Sequence, residues 1–356
     1  MIKLLHGADF HLDSAFSALQ PNQAAQRRQE QRLALEQLGQ AAKDCDILLL
    51  SGDLFDSARV YRDSLEALQR LFASLEAEVF IAPGNHDYIA PGSPYLKEDW
   101  GENVHIFTSP EIRRVHLPRL NCDVYGAAFT GPEMPGLLEG FCVTDPEICN
   151  IMVLHGDLKV DSPYNSLSPQ AIAASGLDYL ALGHVHSRSE QVFGKTLCVY
   201  PGCLMGRGFD ECGEKGVYLA ALEKGNCRAR FLPLDLRRYE VLTVEAGADP
   251  LAAILTALPE GTERDCYRIL LTGESEPLNV SRLAEQLAER FYSLSIRDRT
   301  RPPQALWAAA GEDSLRGYFL GTLKEEYDRS DEARQEKLLL AAKLVTALMD
   351  GREVPL

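Results

Sequence analysis

Short apolar runs of strand length recur along the N-terminal part of the chain, and each breaks at once into a polar cluster. IKLL runs into HGADFHLD, DILLL into SGDLFD, EVFIA into PGNHD, IMVL into HGD, and YLAL into GHVH. These runs are too short for helices and are rich in Leu or β-branched residues, so each reads as a strand. Helical patterns separate the early ones. Leu65, Leu68, Leu71, Phe72 and Leu75 share one face of a predicted helix from Arg62 to Leu75, and Ala24 to Ala42 repeats the pattern in a more polar form. Strands alternating with helices predict parallel β-α-β units. Ligands of open α/β sheets gather at the carboxyl ends of strands, where all five polar clusters fall.

Further along, QVFGKTLCVY and GVYLAALEKGNCRARFLPL read as hairpins with turns at FGKT and EKGN, expected to complete a second, mainly antiparallel sheet. The pattern changes at Arg237. VLTVEA, DPLAAILTAL, CYRILLT, VSRLAEQLAERFYSL and SLSIRD predict β-α-β-α-β, a small separate domain over 237–301. RTRPP, from Arg299 to Pro303, marks a linker. Two helices are predicted within 302–356, one with Leu315, Phe319, Leu320 and Leu323 on a face, the other with Leu340, Leu344 and Leu348.

Composition narrows the class. A chain of 356 residues, 46% hydrophobic and 25% charged, suits a soluble protein of about two domains, the first being 1–236. Its apolar runs fall far short of the ~20 residues that cross a bilayer, and MIKLLHGADFHLD lacks the features of a secretion signal. A cytoplasmic protein without membrane association is expected. Nine cysteines with no CxxC pair fit reduced thiols better than a disulfide frame or a thiolate zinc site. A net charge of −16 argues against coating nucleic acid through bulk electrostatics, while leaving room for a local basic groove or a cationic metal centre.

The polar clusters pool Asp9, His11, Asp53, Asn85, His155, His184 and His186: two carboxylates, one amide oxygen and four imidazoles. That set exceeds the three or four ligands of one zinc ion. It suits two metal ions sharing a carboxylate bridge. Oxygen and imidazole donors without thiolate point to Mn²⁺, Fe²⁺ or Zn²⁺ rather than Ca²⁺. Gly52, Gly84, Gly156 and Gly183 adjoin these residues, where tight turns bring backbone close to a site. Asp56 and Asp87 are expected to orient imidazoles, and Asp157 either to do the same or to be a solvated loop acid. His6 reads as a packed histidine, and His105 and His116 carry no motif.

The ordered series D-x-H, GD-x-x-D, GNHD, H and GHxH resembles that of the calcineurin-like metallophosphoesterases. Within them it is similar to the SbcD-type DNA-repair exonuclease branch and its shorter bacterial YhaO-like members. The likeness spans roughly residues 1 to 235, including the VYGAAF run at Tyr125 and Gly126 and YPGCLMGRGFDECGEKG from Tyr200 to Gly216. It implies an α/β fold: a two-sheet sandwich flanked by helices, with a small α+β cap domain and C-terminal helices.

By the same resemblance, Asp9, His11, Asp53 and His186 hold a first metal, and Asp53, Asn85, His155 and His184 a second. Asp53 bridges the two, and His86 is the catalytic histidine. Mn²⁺ is the first candidate ion, with Fe²⁺ or Zn²⁺ as alternatives. The implied activity is a two-metal DNA exonuclease or endonuclease in DNA repair, working as a homodimer with an SbcC-like SMC-family ATPase. Arg282, Arg290, Arg297, Arg299 and Arg301 in the cap offer a phosphate-contact set, against the plainer reading of a salt-bridged face. The alternative activity is hydrolysis of a non-DNA phosphoester such as a nucleotide, cyclic nucleotide or phosphoprotein, since substrate choice lives in the surrounding surface. Against a phosphoprotein, GDLFDS lacks the Arg that follows GDxVD in protein phosphatases, and GNHD stands where they have GNHE.

Overall fold

The four residues Ile47–Leu50 are buried on both sides, and their alternation sets the architecture. Ile47 and Leu49 face one apolar cluster, Leu48 and Leu50 another. The computed structural model describes residues 1–17, 19–57, 59–276, 278–301 and 304–351, so Pro302 and Pro303 of the expected linker and residues 352–356 lie outside it. By internal contacts the chain divides into two units, Met1–Leu236 and Arg237–Leu356.

The first unit contains β1 (Ile2–Gly7), α1 (Pro21–Ala42), β2 (Ile47–Leu50), α2 (Arg62–Ala73), β3 (Glu78–Ile81), α3 (Pro94–Lys97) and β4 (Val104–Ile106). After these come β5 (Arg113–Leu117), β6 (Cys122–Gly126), β7 (Cys149–His155), α4 (Pro169–Ala174), β8 (Tyr179–Gly183), β9 (Ser189–Phe193) and β10 (Thr196–Tyr200). The pair β11 (Gly216–Glu223) and β12 (Asn226–Pro233) completes it. One sheet runs β12-β11-β1-β2-β3-β4 and the other β5-β6-β7-β8-β10-β9. Ile47, Leu49 and Phe80 of the first sheet pack with Val124, Ile151, Val153 and Ala181 of the second. On its other face the first sheet buries Leu35 and Leu38 of α1 and Leu68 and Phe72 of α2, so the unit is an α/β sandwich.

The second sheet differs from the antiparallel one expected. It is parallel through β6, β7, β8 and β10, and antiparallel only at its β5 and β9 edges. The two hairpins also separate: β9 and β10 extend this sheet, whereas β11 and β12 join the other, antiparallel to β1. Burial explains the order. TLCVY, with Cys198, Val199 and Tyr200 in the core, takes the interior position beside β8, and the polar SEQVF takes the edge.

The polar character of α1 also has a structural reason. Arg27 and Gln31 are buried, and they hold loops rather than packing: Gln31 Nε2 donates to the carbonyls of His11 (2.7 Å) and Phe10 (3.3 Å), and Arg27 donates to the Gly206 carbonyl at 2.7 Å.

His6 is fully buried, pairing with Ser51 Oγ through Nε2 and with Tyr179 Oη through Nδ1 at 3.2 Å, the packed histidine expected. Burial pushes its pKa down to about 3. The unfolded chain therefore binds one more proton than the folded chain between the ordinary histidine value and about pH 3. Stability falls as pH drops through that window, by up to ~1.4 kcal/mol per unit. Urea unfolding with a chelator present, compared at about pH 7 and about pH 5.5, should show an acid loss about 1 kcal/mol larger in wild type than in His6→Asn. Equal losses would remove His6 as the cause.

The second unit opens with β13 (Tyr239–Glu245), α5 (Pro250–Ala257), β14 (Cys266–Thr272), α6 (Val280–Leu287) and β15 (Ser293–Asp298), the β-α-β-α-β expected. Its three strands are parallel, in the order β13-β14-β15. Ile269 and Leu271 pack with Ile254 of α5 and Leu283 and Leu287 of α6. Side chains of Asp249 and Asn279 cap the two helices. All five arginines of the candidate phosphate-contact set are exposed.

Helices α7 (Leu315–Tyr327) and α8 (Glu332–Met349) follow. On α7 the expected face turns inward at Leu320, with Phe319 and Leu323 half-buried and Leu315 exposed; on α8 it does not, since Leu340 and Leu348 are exposed while Leu338, Ala342, Thr346 and Ala347 are buried. Lys343 is buried too, donating to Thr300 Oγ1 (2.6 Å) and Asp298 Oδ2 (3.2 Å). The segment KLLLAAKLVTALM is apolar all round, so periodicity alone cannot choose its inner stripe. No described helix is long and apolar enough to cross a membrane.

Candidate metal centre

Parallel strands carry the polar clusters to one end of the sandwich. Asp9 and His11 follow β1, Asp53 follows β2, and Asn85 and His86 follow β3, all from the first sheet. His155 ends β7, and His184 and His186 follow β8, from the second. The two groups meet. Asp53 Oδ2 lies 3.3 Å from His155 Nε2 and 3.8 Å from His11 Nε2. His186 Nε2 lies 3.2 Å from His11 Nε2 and 4.0 Å from Asp9 Oδ1. Asn85 Oδ1 sits 3.0 Å from His155 Nε2 and 3.2 Å from His184 Nδ1. Asp9, His11, Asp53 and His155 are at most 1% exposed. His86 stands exposed at the rim, its ring edge-on to that of His11 at 4.8 Å, with its Nδ1 3.1 Å from the Asp56 carbonyl.

The backbone bends sharply to present these groups. Asp9, His11, Asp53 and His184 have φ of 53°, 44°, 52° and 99°, in the left-handed region that non-glycine residues avoid. Each such residue costs about 1–3 kcal/mol and persists only where its surroundings over-determine it. Here three backbone bonds fasten the loop after β1 to the loop after β2: Asp9 N–H to Gly52 O (3.1 Å), His11 N–H to Asp53 O (2.9 Å) and Leu12 N–H to Leu54 O (2.8 Å). Close approach also explains two glycines. A Cβ on Gly84 would strike the Asp53 carboxylate, and one on Gly183 the Ser51 carbonyl.

Electrostatics suit cation binding. Burial, reinforced by Asp53, raises the Asp9 carboxyl to about 6 against the pull of His155 and His186. Burial acts against ionisation at Asp53 too, but the His155 charge and hydrogen bond, with help from His11, hold it below the usual carboxylate range. His155 is carried up to about 9: burial pulls down, and Asp53 and Asp9 outweigh it. Burial drops His11 and His184 to about 4, leaving those two imidazoles neutral, whereas a metal ion would have to displace the proton of His155.

The outward nitrogens are directed as well. His155 Nδ1 donates to the Ser51 carbonyl (2.9 Å), and His186 Nδ1 to Glu211 Oε1 (2.7 Å). His11 Nδ1 is buried, 3.2 Å from Asp56 Oδ1, without a well-aligned hydrogen bond. His11 and His186 thus turn their Nε2 atoms toward each other beside two buried carboxylates. At that separation the two nitrogens can share a proton or both face a metal cation. The donor set therefore fits divalent metal ions, and Asp9, His11 and His186, His11, Asp53 and His86, and Asp9, Asp53 and His155 each converge closely enough to share one.

All seven expected ligand residues and His86 come together. Asp56 approaches His11 as expected, but Asp87 touches no imidazole. Its carboxylate accepts from the backbone N–H groups of Gly84, Asp53, Leu54 and Phe55 and from Tyr95 Oη, pinning the loop after β2 to the GNHD turn. The acid of that turn folds back under its own backbone. Asp157 accepts from the Lys159 N–H at 2.9 Å and shapes a turn. Glu211 and Arg207 had no assigned role, although GRGFDE contains both.

Comparison with known proteins agrees with this geometry. The calcineurin-like phosphoesterase family profile matches residues 2–188. The chain is 28% identical to the uncharacterized metallophosphoesterase YhaO of Bacillus subtilis, over 93% of this chain and 88% of that protein. It is 27% identical to the DNA double-strand break repair protein Mre11 of Methanopyrus kandleri, over 84% and 71% respectively. Among solved structures, an archaeal phosphodiesterase matches 65% of this chain and 100% of its own at 14% identity, with a TM-score of 0.37. Because the family profile spans more than half of the 356 residues, the chain belongs to the calcineurin-like phosphoesterases, a family of metal-dependent hydrolases.

Proposed function

We propose that this protein is a two-metal-dependent DNA phosphodiesterase acting in DNA repair. The observation that carries the proposal is the buried Asp53 carboxylate, within 4 Å of imidazoles from both sheets, inside a seven-residue oxygen and nitrogen donor set. Likeness over most of the chain to a protein named for double-strand break repair supports DNA as the substrate. In this reading Asp9, His11, Asp53 and His186 hold one ion and Asp53, Asn85, His155 and His184 the other. Mn²⁺ is the first choice by donor type, with Fe²⁺ or Zn²⁺ as alternatives. Such ions supply charge for the non-bridging phosphoryl oxygens and acidify the attacking water.

The chain's own residues do the rest. His155 is aimed by the Ser51 carbonyl and His186 by Glu211. His86 hydrogen-bonds the Asp56 carbonyl through Nδ1 and, in this reading, delivers a proton from Nε2 to the leaving oxygen. The proposal extends to a cytoplasmic homodimer working with an SbcC-like SMC-family ATPase, for which the exposed Leu340 and Leu348 of α8 offer apolar contact.

The test is Mn²⁺-dependent cleavage of labelled single- and double-stranded DNA, with and without that ATPase, beside a cyclic nucleotide and a phosphopeptide. DNA cleavage without hydrolysis of the other two is expected. Hydrolysis of a non-DNA phosphoester with DNA left intact, ATPase present, would overturn the DNA reading and leave a phosphoesterase for another substrate.

A further inference from the structure

We propose that Arg207 and Glu211, with Asp56, form a positioning clamp that sets the affinity of one of the two metal ions, the one assigned to His11 and His186, and not of the other. This rests on the ligand assignment above. The clamp is a continuous ionic knot behind two imidazoles. Glu211 Oε1 accepts from His186 Nδ1 at 2.7 Å. Arg207 Nη2 donates to the same Glu211 oxygen at 2.7 Å, and the Arg207 backbone N–H donates to Glu211 Oε2 at 2.8 Å. Its other arm, Nη1, donates to Asp56 Oδ1 at 3.0 Å, and that oxygen lies 3.2 Å from His11 Nδ1. One guanidinium fork therefore fixes both carboxylates that stand behind His11 and His186.

The remaining two imidazoles lack such support. His155 Nδ1 meets the neutral Ser51 carbonyl at 2.9 Å, with Asp9 Oδ1 4.0 Å away. His184 turns its Nδ1 toward Asn85 Oδ1, a fellow ligand, at 3.2 Å, and among the described residues no carboxylate lies within ion-pair distance of its ring to stand behind it. A carboxylate behind a ligating imidazole locks its tautomer and raises its basicity, and outer partners of this kind typically carry about 10–100-fold in metal affinity. The asymmetry therefore predicts a loss confined to one ion.

The clamp is also built to stay put. Glu211 is 5% exposed, Cys203 bridges to Ala8 beside Asp9, and the buried Arg27 holds the Gly206 carbonyl next to Arg207. Arg207 further keeps Asp56 and Glu211 occupied, so these carboxylates orient imidazoles instead of competing for the metal.

The test uses the full chain, titrated with Mn²⁺ by calorimetry and by electron paramagnetic resonance, comparing wild type with Glu211→Gln and Arg207→Lys. Wild type is expected to take two ions and to show an exchange-coupled pair. Each variant should keep one ion at wild-type affinity, bind the other about 10–100-fold more weakly, and show isolated Mn²⁺ at intermediate loading. Arg207→Lys retains the charge without the fork, so its loss should be the smaller. Thermal unfolding in chelator identifies a variant that fails to fold, in which case the other decides. Equal weakening of both ions, or unchanged binding, would overturn the clamp while leaving the two-ion centre intact. Fewer than two ions in wild type would overturn the two-ion assignment and the clamp with it.

Discussion

Asp53→Asn is expected to bring phosphoester hydrolysis close to background and to lower the metal content of the purified chain from two ions to one or none. The substitution keeps the shape of the side chain and removes its charge, at 1% exposure, where no water can substitute for it. Asp53 Oδ2 is the carboxylate oxygen that approaches both His11 and His155, so its loss reaches both halves of the donor set. The effect is large because metal activation can lower the pKa of an attacking water by roughly nine units. A loss of at least about 10³-fold in kcat/KM follows even if most of that advantage survives. Metal analysis after gel filtration, beside initial rates in Mn²⁺, checks it. Two retained ions with activity within tenfold of wild type would remove Asp53 from the shared position.

The second large effect separates proton delivery from metal binding. His86→Ala should lower kcat by about 10²–10⁴-fold while leaving two ions bound, because His86 is exposed at the rim and its ring is held by a backbone carbonyl. An acid assisting the leaving oxygen matters little when the leaving group departs readily as an anion. The deficit should therefore shrink on a bis-nitrophenyl phosphodiester and be full on DNA. An equal deficit on both substrates would exclude proton donation and leave His86 with a structural role through its Nδ1 bond to the Asp56 carbonyl.

The candidate donor residues were legible in the sequence because strand ends concentrate them. A run such as YLAL followed by GHVH states both where the strand stops and which groups it delivers. Two features were hidden for different reasons. Strand order in the second sheet depends on which of two hairpin strands is the more buried, and a local turn signal carries no such information. Glu211 and Arg207 act on partners 25 and 151 residues away, so their role exists only once the chain has folded. Asp87 shows the converse limit: its position in GNHD suggested an imidazole, and the turn geometry gave its carboxylate to backbone N–H groups instead. On α8 the expected face was Leu340, Leu344 and Leu348, but small Ala342 and Ala347 took the interior while Leu340 and Leu348 stayed outside.

The centre draws four of its donor residues from one sheet and three from the other, and what keeps those groups in register is the apolar layer of Ile47, Leu49, Phe80, Val124, Ile151, Val153 and Ala181. Variants mapped to that layer will be hard to classify genetically. A change that lets one sheet slide against its neighbour separates Asp53 from His155 as surely as deleting either. Its phenotype will then be that of a missing ligand, answering to added metal, although the altered residue touches none.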